Sequence, residues 1–190
     1  SGTVGVMTIA KAFKATGKKP EKSVIFAAWT GEEKGLWGSK YFVQEAKKKD
    51  MNVVLNLNYD MIARDVESDT LKNKASMVYT KANSGIEEIT KKNIEDFDIN
   101  LDLQYRSSDR PGGGSDHAPF AQANIPVFYF MAAMNRDYYH QPGDELSTIN
   151  WNKMIDIIRI GFLNTWEFAN SDDYLKTKVK VEEKVLTPEP

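Results

Sequence analysis

An apolar run from Val24 to Trp29 ends abruptly in Thr30-Gly31-Glu32-Glu33-Lys34, followed by Gly35-Leu36-Trp37-Gly38-Ser39. Ser23 to Trp29 is rich in β-branched and aromatic residues and reads as a buried strand. Two adjacent carboxylates at its end constrain the fold more than any other feature. Open α/β sheets place their ligands outside the carboxyl ends of strands. Two carboxylates there can divide labour, one holding a metal and the other moving a proton.

The rest of the chain continues this alternation. Val4 to Phe13 carries apolar residues at helical spacing, and Gly17 suggests a stop. Ser39 to Lys49 is amphipathic; Asn52 to Ile62 and Ala75 to Thr80 read as strands; Ser84 to Phe97 reads as a helix with Ser84 as its cap. Leu101 to Arg106 is a short strand, Ser107 to Gly114 a glycine-rich loop, and Ser115 to Asn124 a short helix. Pro126 to Met131 is a strand, and Trp151 to Phe168 a long helix with Ile155, Ile158, Phe162 and Trp166 on one side. Strands alternating with helices predict an α/β sandwich with a mostly parallel sheet. The first helix has no strand before it, although a βα unit normally supplies one. Residues 1–170 form the expected domain, and the charged stretch 171–190, ending Thr-Pro-Glu-Pro, reads as a tail or linker.

Composition narrows the partners. A net charge of −2 over 190 residues gives no basic footprint for nucleic acid. No apolar run approaches the ~18 residues of a membrane helix. With no cysteine, disulfides and thiolate metal sites are excluded.

Four places can carry chemistry: Glu32-Glu33, Asp60, Ser115-Asp116-His117 and Tyr139-His140. Thr30-x-x-Glu33 also fits a capping box, but Gly35 and Gly38 would then weaken the first turns of the helix by ~1 kcal/mol each. They suit a tight loop that exposes its carboxylates. Asp60 interrupts an apolar stretch, where a carboxylate needs a partner or a cation. Histidine is a common zinc ligand, yet a lone loop histidine such as His140 is more often just exposed. Ser115, Asp116 and His117 are consecutive and cannot converge as a serine triad, whose members come from separate segments; Ser115 and Asp116 read as helix caps.

Taken in order, these strings resemble the co-catalytic dizinc aminopeptidases of the bacterial leucyl aminopeptidase and aminopeptidase S type, with glutamate carboxypeptidase and glutaminyl cyclase as more distant relatives. The strings are Thr30-Gly-Glu-Glu-x-Gly-Leu-x-Gly-Ser39, Asn58-Tyr-Asp-Met-Ile62, Gly114-Ser-Asp-His-x-Pro-Phe120 and Tyr139-His-x-Pro-x-Asp144. The resemblance implies a three-layer α/β sandwich with a mixed, mostly parallel sheet, a phosphorylase/hydrolase-like zinc peptidase fold, here lacking its N-terminal part. It implies an exopeptidase that removes N-terminal residues from peptides with a hydroxide held between two zinc ions. Glu32 would be the general base, Glu33 and His140 ligands of one metal, Asp60 a ligand of the other, and Tyr139 an oxyanion stabiliser. Asp116 and His117 would brace the wall. Two more ligands, a histidine in a His-x-Asp stretch and a bridging aspartate, would precede Ser1.

That shortfall has consequences. A catalytic zinc takes at least about three protein donors, so this chain alone is expected to bind zinc weakly and to hydrolyse peptides poorly or not at all. An uncovered sheet edge is expected to promote self-association. Two rival readings follow: a binding or scaffold domain that keeps the peptidase fold, or a carboxypeptidase or cyclase, for which Arg64, Arg106, Arg110 and Arg136 are candidate carboxylate partners. Trp37 and Tyr138 could line an apolar pocket. The resemblance alone favours a secreted or periplasmic location.

Overall fold

The computed structural model describes residues 1–65, 68–132 and 139–175. Five α-helices and four strands follow in the order α1 (Gly2–Ala15), α2 (Trp37–Lys48), β1 (Asn56–Tyr59), β2 (Lys74–Thr80), α3 (Gly85–Asp96), β3 (Asp102–Ser108), α4 (Ala118–Gln122), β4 (Val127–Ala132) and α5 (Trp151–Asn170). The strands form one sheet in the order β1-β4-β2-β3. Pairs β1·β4 and β2·β3 are parallel, and β2·β4 is antiparallel. This is the mixed, mostly parallel sheet that the sequence implies.

Period-2 alternation in β4 sorts the core into two faces. Phe128, Phe130 and Ala132 join Met77, Tyr79 and Tyr59 in the larger cluster, with Ile9 and Phe13 of α1, Ile86 of α3, and Ile157, Ile160 and Phe168 of α5. Val127, one residue out of step, joins Phe120, Ala121, Trp29 and Phe42 in a second cluster that belongs to α2 and α4. Helices therefore cover both faces, and the architecture is a three-layer α/β/α sandwich.

Several elements differ from expectation. Ser23 to Trp29 forms no ladder, and residues 23–29 make no backbone hydrogen bond among the described residues. Only Asn56–Tyr59 of the long run Asn52 to Ile62 is strand. A strand needs a neighbour as well as an apolar sequence, and among the described residues neither segment has one on the side where they face each other. The stripe expected on α5 is rotated: Met154, Ile157, Ile160 and Phe168 are buried, whereas Ile155 is exposed. Phe162 and Trp166 pack at the margin, against Phe13 of α1 with ring centroids 5.3 and 5.4 Å away. On α1, Ile9 and Phe13 are buried but Val4 and Met7 face solvent. Past α5, Tyr174 is fully buried against Phe168; residues 176–190 of the expected tail lie outside the described residues.

Ion pairing anchors the start of α5. Lys153, only 1% exposed, reaches Asp69 at 2.7 Å and Asp65 at 2.5 Å, and its ammonium also donates to Arg64 O. The Asp69 carboxylate accepts from the backbone N–H groups of Asn73 and Lys74. A buried charge is tolerable when its donors and acceptors are met in this way.

Candidate active site

The site forms where Ser23 to Trp29 and β1 both end. After Trp29 the chain enters a single 3-10 turn, Glu32–Lys34, between two left-handed glycines, Gly31 (φ 66°) and Gly35 (φ 105°). Gly38 approaches Thr30 so closely that a Cβ would lie 2.7 Å from Thr30 N, and its own N–H donates to Thr30 O at 2.9 Å. The glycines thus serve a tight loop. The capping box is not formed: α2 has Leu36 at its N-cap with no side-chain cap bond. Glu32 is half-buried and Glu33 exposed on this loop.

Glu33 Oε1 lies 2.7 Å from His140 Nε2, although 107 residues separate them in sequence. The Tyr139 ring stacks on the His140 ring with centroids 3.8 Å apart. Tyr139 feels the negative charges of Glu33, Asp60 and Glu32; partial burial and those charges raise its phenol pKa above the ordinary value. Burial also raises the Glu32 pKa, helped by the charges of Glu33, Asp60 and Asp116 and opposed by His140. Glu32, Glu33, Asp60, Asp116, Tyr139 and His140 all line one cavity. The structure thus brings the five sequence-predicted residues, Glu32, Glu33, Asp60, Tyr139 and His140, to one mouth of the sheet.

Behind them is a layer with Ser115 and Asp116, which local sequence reads as helix caps and of which the resemblance makes Asp116 a wall brace. Neither Ser115 nor Asp116 caps α4, whose N-cap is His117 with no side-chain bond. Ser115 Oγ accepts from Asn58 Nδ2 at 2.8 Å, and Asp116 Oδ1 accepts from Ser39 Oγ at 2.6 Å. These two bonds tie the loop before α4 to β1 and to α2. Burial raises the Asp116 pKa, and the Asp60 charge adds to that. Burial lowers the His117 pKa; its ring stacks on Tyr129 with centroids 4.4 Å apart, and Nε2 lies 3.3 Å from Gly112 O. His117 is buried and does not itself line the cavity. The signal for the missed layer was present: Ser39, Asn58, Ser115 and Asp116 all fall inside the four matched strings.

In kind, carboxylates and an imidazole suit zinc. In number they fall short, since no group of three histidine, aspartate or glutamate side chains converges to hold a metal ion among the described residues. Of the candidate carboxylate partners, Arg64 is paired with Asp144, and Arg136 lies outside the described residues, as does Tyr138. Trp37 is largely exposed. No helix among the described residues is long and apolar enough to cross a membrane.

Comparison with known proteins identifies the family and the fold. The profile of Peptidase family M28 matches residues 1–162. Leucine aminopeptidase 2 of Trichophyton equinum is 26% identical over 209 residues, covering 100% of this chain and 42% of that protein. Leupeptin-inactivating enzyme 1 of Streptomyces exfoliatus is 32% identical over 128 residues, covering 67% of this chain and 26% of its own length. The LapA aminopeptidase of Legionella pneumophila superposes with a TM-score of 0.74 at 20% identity, over 88% of this chain and 44% of that one. The chain thus spans less than half the length of these relatives.

Proposed function

The chain belongs to peptidase family M28, and from that premise we propose that it is part of the catalytic domain of a zinc-dependent aminopeptidase acting on peptides with a free N-terminus. The carrying observation is the approach of His140 to Glu33 at 2.7 Å, beside Glu32 and Asp60, at the carboxyl end of β1.

The placement of the residues supports a division of roles. Glu33 and His140 are the pair that would hold one zinc, and Asp60 would contribute to a second. The described residues do not complete either set, so the remaining donors must come from outside them. Zinc, when bound, supplies Lewis acidity and makes water a better nucleophile. Glu32 is kept for proton transfer. Its raised pKa suits a base that takes a proton and later returns it to the leaving amine. Tyr139, stacked on His140, would donate its O–H to the oxygen on which negative charge develops.

One observation favours a second reading. The incomplete donor set would also suit a binding or scaffold domain that retains the fold. The two readings separate in an assay of the longer natural protein on one peptide with a free N-terminus and its N-acetylated counterpart. We expect cleavage of the free peptide only, lost on chelation and restored by zinc. Peptide binding without any turnover after zinc reconstitution would put the scaffold reading first. Equal cleavage of both peptides would remove the aminopeptidase reading.

A further inference from the structure

Left-handed backbone occurs at both ends of the proposed ligand set. His140 itself has φ 55°, and Met61, the residue after Asp60, has φ 54°. Neither is glycine, so each conformation persists only where its surroundings hold it. For Met61 those surroundings are the sheet and the start of α1. Asp60 N donates to Phe130 O at 3.2 Å, Ala132 N donates to Met61 O at 3.0 Å, and Ile62 N donates to Ser1 Oγ at 3.0 Å. His140 lies beyond the last strand, in the segment that leads into α5. Its turn is closed by Asp144 N donating to Gln141 O and Glu145 N donating to Gly143 O, each at 3.0 Å. Those bonds shape the turn without fastening it to the rest of the fold.

Arg64 does the fastening. Its guanidinium pairs with Asp144 and donates to Thr148 O at 3.3 Å. One planar cation thus spans residues 144–148, which continue directly from the His140 turn. Arg64 is itself anchored at the start of α5. Its carbonyl accepts from the buried Lys153 ammonium at 3.2 Å, and on either side Asn150 N donates to Ala63 O at 2.8 Å and Asn150 Nδ2 donates to Asp65 at 2.9 Å. An ion pair between two exposed, freely moving side chains contributes little. This one differs, because the Arg64 side chain is only 12% exposed although Asp144 is 60% exposed. A guanidinium also offers donors in a fixed fork, which suits a carboxylate and a carbonyl held side by side. The chain after Asp60 and the chain after His140 are therefore joined through one seated side chain.

We infer that Arg64 and Asp144 are positioning residues that fix the His140 turn within ligating reach of Glu33. The inference rests on the reading of Glu33 and His140 as a metal-holding pair. A histidine on an unfastened turn reaches its ligating position in only a fraction of molecules, and the apparent affinity falls by that fraction. A turn fastened beforehand avoids the loss. Arg64 and Asp144 act through His140, and neither is assigned a contact with substrate or with the reacting atoms.

The first measurement needs no metal. The chain has no cysteine, so Lys34→Cys and Gln141→Cys, both at exposed positions, place one spin label beside Glu33 and one beside His140. Their distance distribution, read by dipolar electron resonance, should broaden about twofold once Arg64→Gln or Asp144→Asn releases the turn. Asp144→Asn alters one exposed carboxylate, so it leaves the fold intact if Arg64→Gln does not. The second measurement is zinc affinity by chelator competition in the longer natural protein. Each substitution should lower it about tenfold, in the range found for groups that orient a ligand histidine. The two together should lower it no further than one alone, because they break the same contact. Arg159→Gln, which breaks the Arg159–Asp156 pair on α5, should change neither readout. Unchanged label distances would overturn the inference. Broadened distances with unchanged zinc affinity would overturn it too, leaving the pair a tie without a role in the site, and so would additive losses in the double variant. If the unsubstituted longer protein takes up no zinc, the proposed function fails, and the label distances alone decide whether Arg64 and Asp144 fix the turn.

Discussion

Glu32 and Glu33 are neighbours with different surroundings. Glu33 is exposed and touches His140, while Glu32 is half-buried among like charges. The proposed roles therefore predict different losses in the longer natural protein. Glu32→Gln should lower kcat by ~10²–10⁴, the usual contribution of a general base, with zinc content unchanged by elemental analysis. Glu33→Gln should lower zinc content as well as turnover. Equal zinc loss in both variants would contradict the division of labour. A second residue-scale prediction concerns Lys153, which faces the buried Asp69. Lys153→Met leaves that carboxylate without its cation and should cost about 3–5 kcal/mol at pH 7 in urea unfolding. Burial pushes the Asp69 pKa up, but the Lys153 ammonium and the amides of Lys74 and Asn73 outweigh it, so the net shift is downward. A depressed carboxyl pKa stabilises the fold above its unfolded value, about 3.9, and that stability is lost as pH falls through the folded value. The difference between wild type and Lys153→Met should therefore narrow below about pH 4.

The helix and strand elements respond to substitution according to how closely backbone meets backbone. Gly38→Ala puts a Cβ 2.7 Å from Thr30 N, and backbone cannot swing aside as a side chain can. Overpacking of this kind costs about 1–3 kcal/mol, read as a shift in the denaturation midpoint, and it should displace the Glu32–Lys34 turn. The value of Gly38 was legible in the sequence, because glycines around paired acids argued for a bent, exposed loop. The helices were legible too, from their 3.6-residue period; on α5 the period was right but the face was rotated, since a row of large side chains such as Ile155, Phe162 and Trp166 does not say which flank meets the sheet. Ser23 to Trp29 could not be read correctly from its own residues. Its composition reports what it can bury, whereas a ladder depends on a neighbour whose presence no local pattern encodes. The layer formed by Ser39, Asn58, Ser115 and Asp116 escaped for a related reason: Ser115-Asp116 before a short helix looks like a cap, and only the tertiary fold brings Asn58 and Ser39 to it.

At the scale of the whole molecule, the interrupted sheet governs behaviour in solution. Among the described residues the edge of β1 is unpaired, and Ile25 and Phe26 along the facing wall remain exposed at 60% and 38%. Edge strands with apolar flanks recruit other chains unless charge, proline or a covering element protects them. Among the described residues nothing of that kind shields residues 24–29, which contain no charged residue and no proline. The chain starting at Ser1 is therefore expected to self-associate, with a weight-average mass by light scattering that rises above the 21.5 kDa monomer as concentration increases. Ile25→Lys puts a charge on this wall, outside the machinery assigned to Glu32, Glu33, Asp60, Tyr139 and His140, and should return the mass towards the monomer at the same concentration. A constant monomer mass over a hundredfold concentration range would show that the exposed edge does not recruit a second copy. If the mass rises but Ile25→Lys leaves it unchanged, association proceeds through another surface, and the exposed faces of α1 at Val4 and Met7 become the next place to substitute.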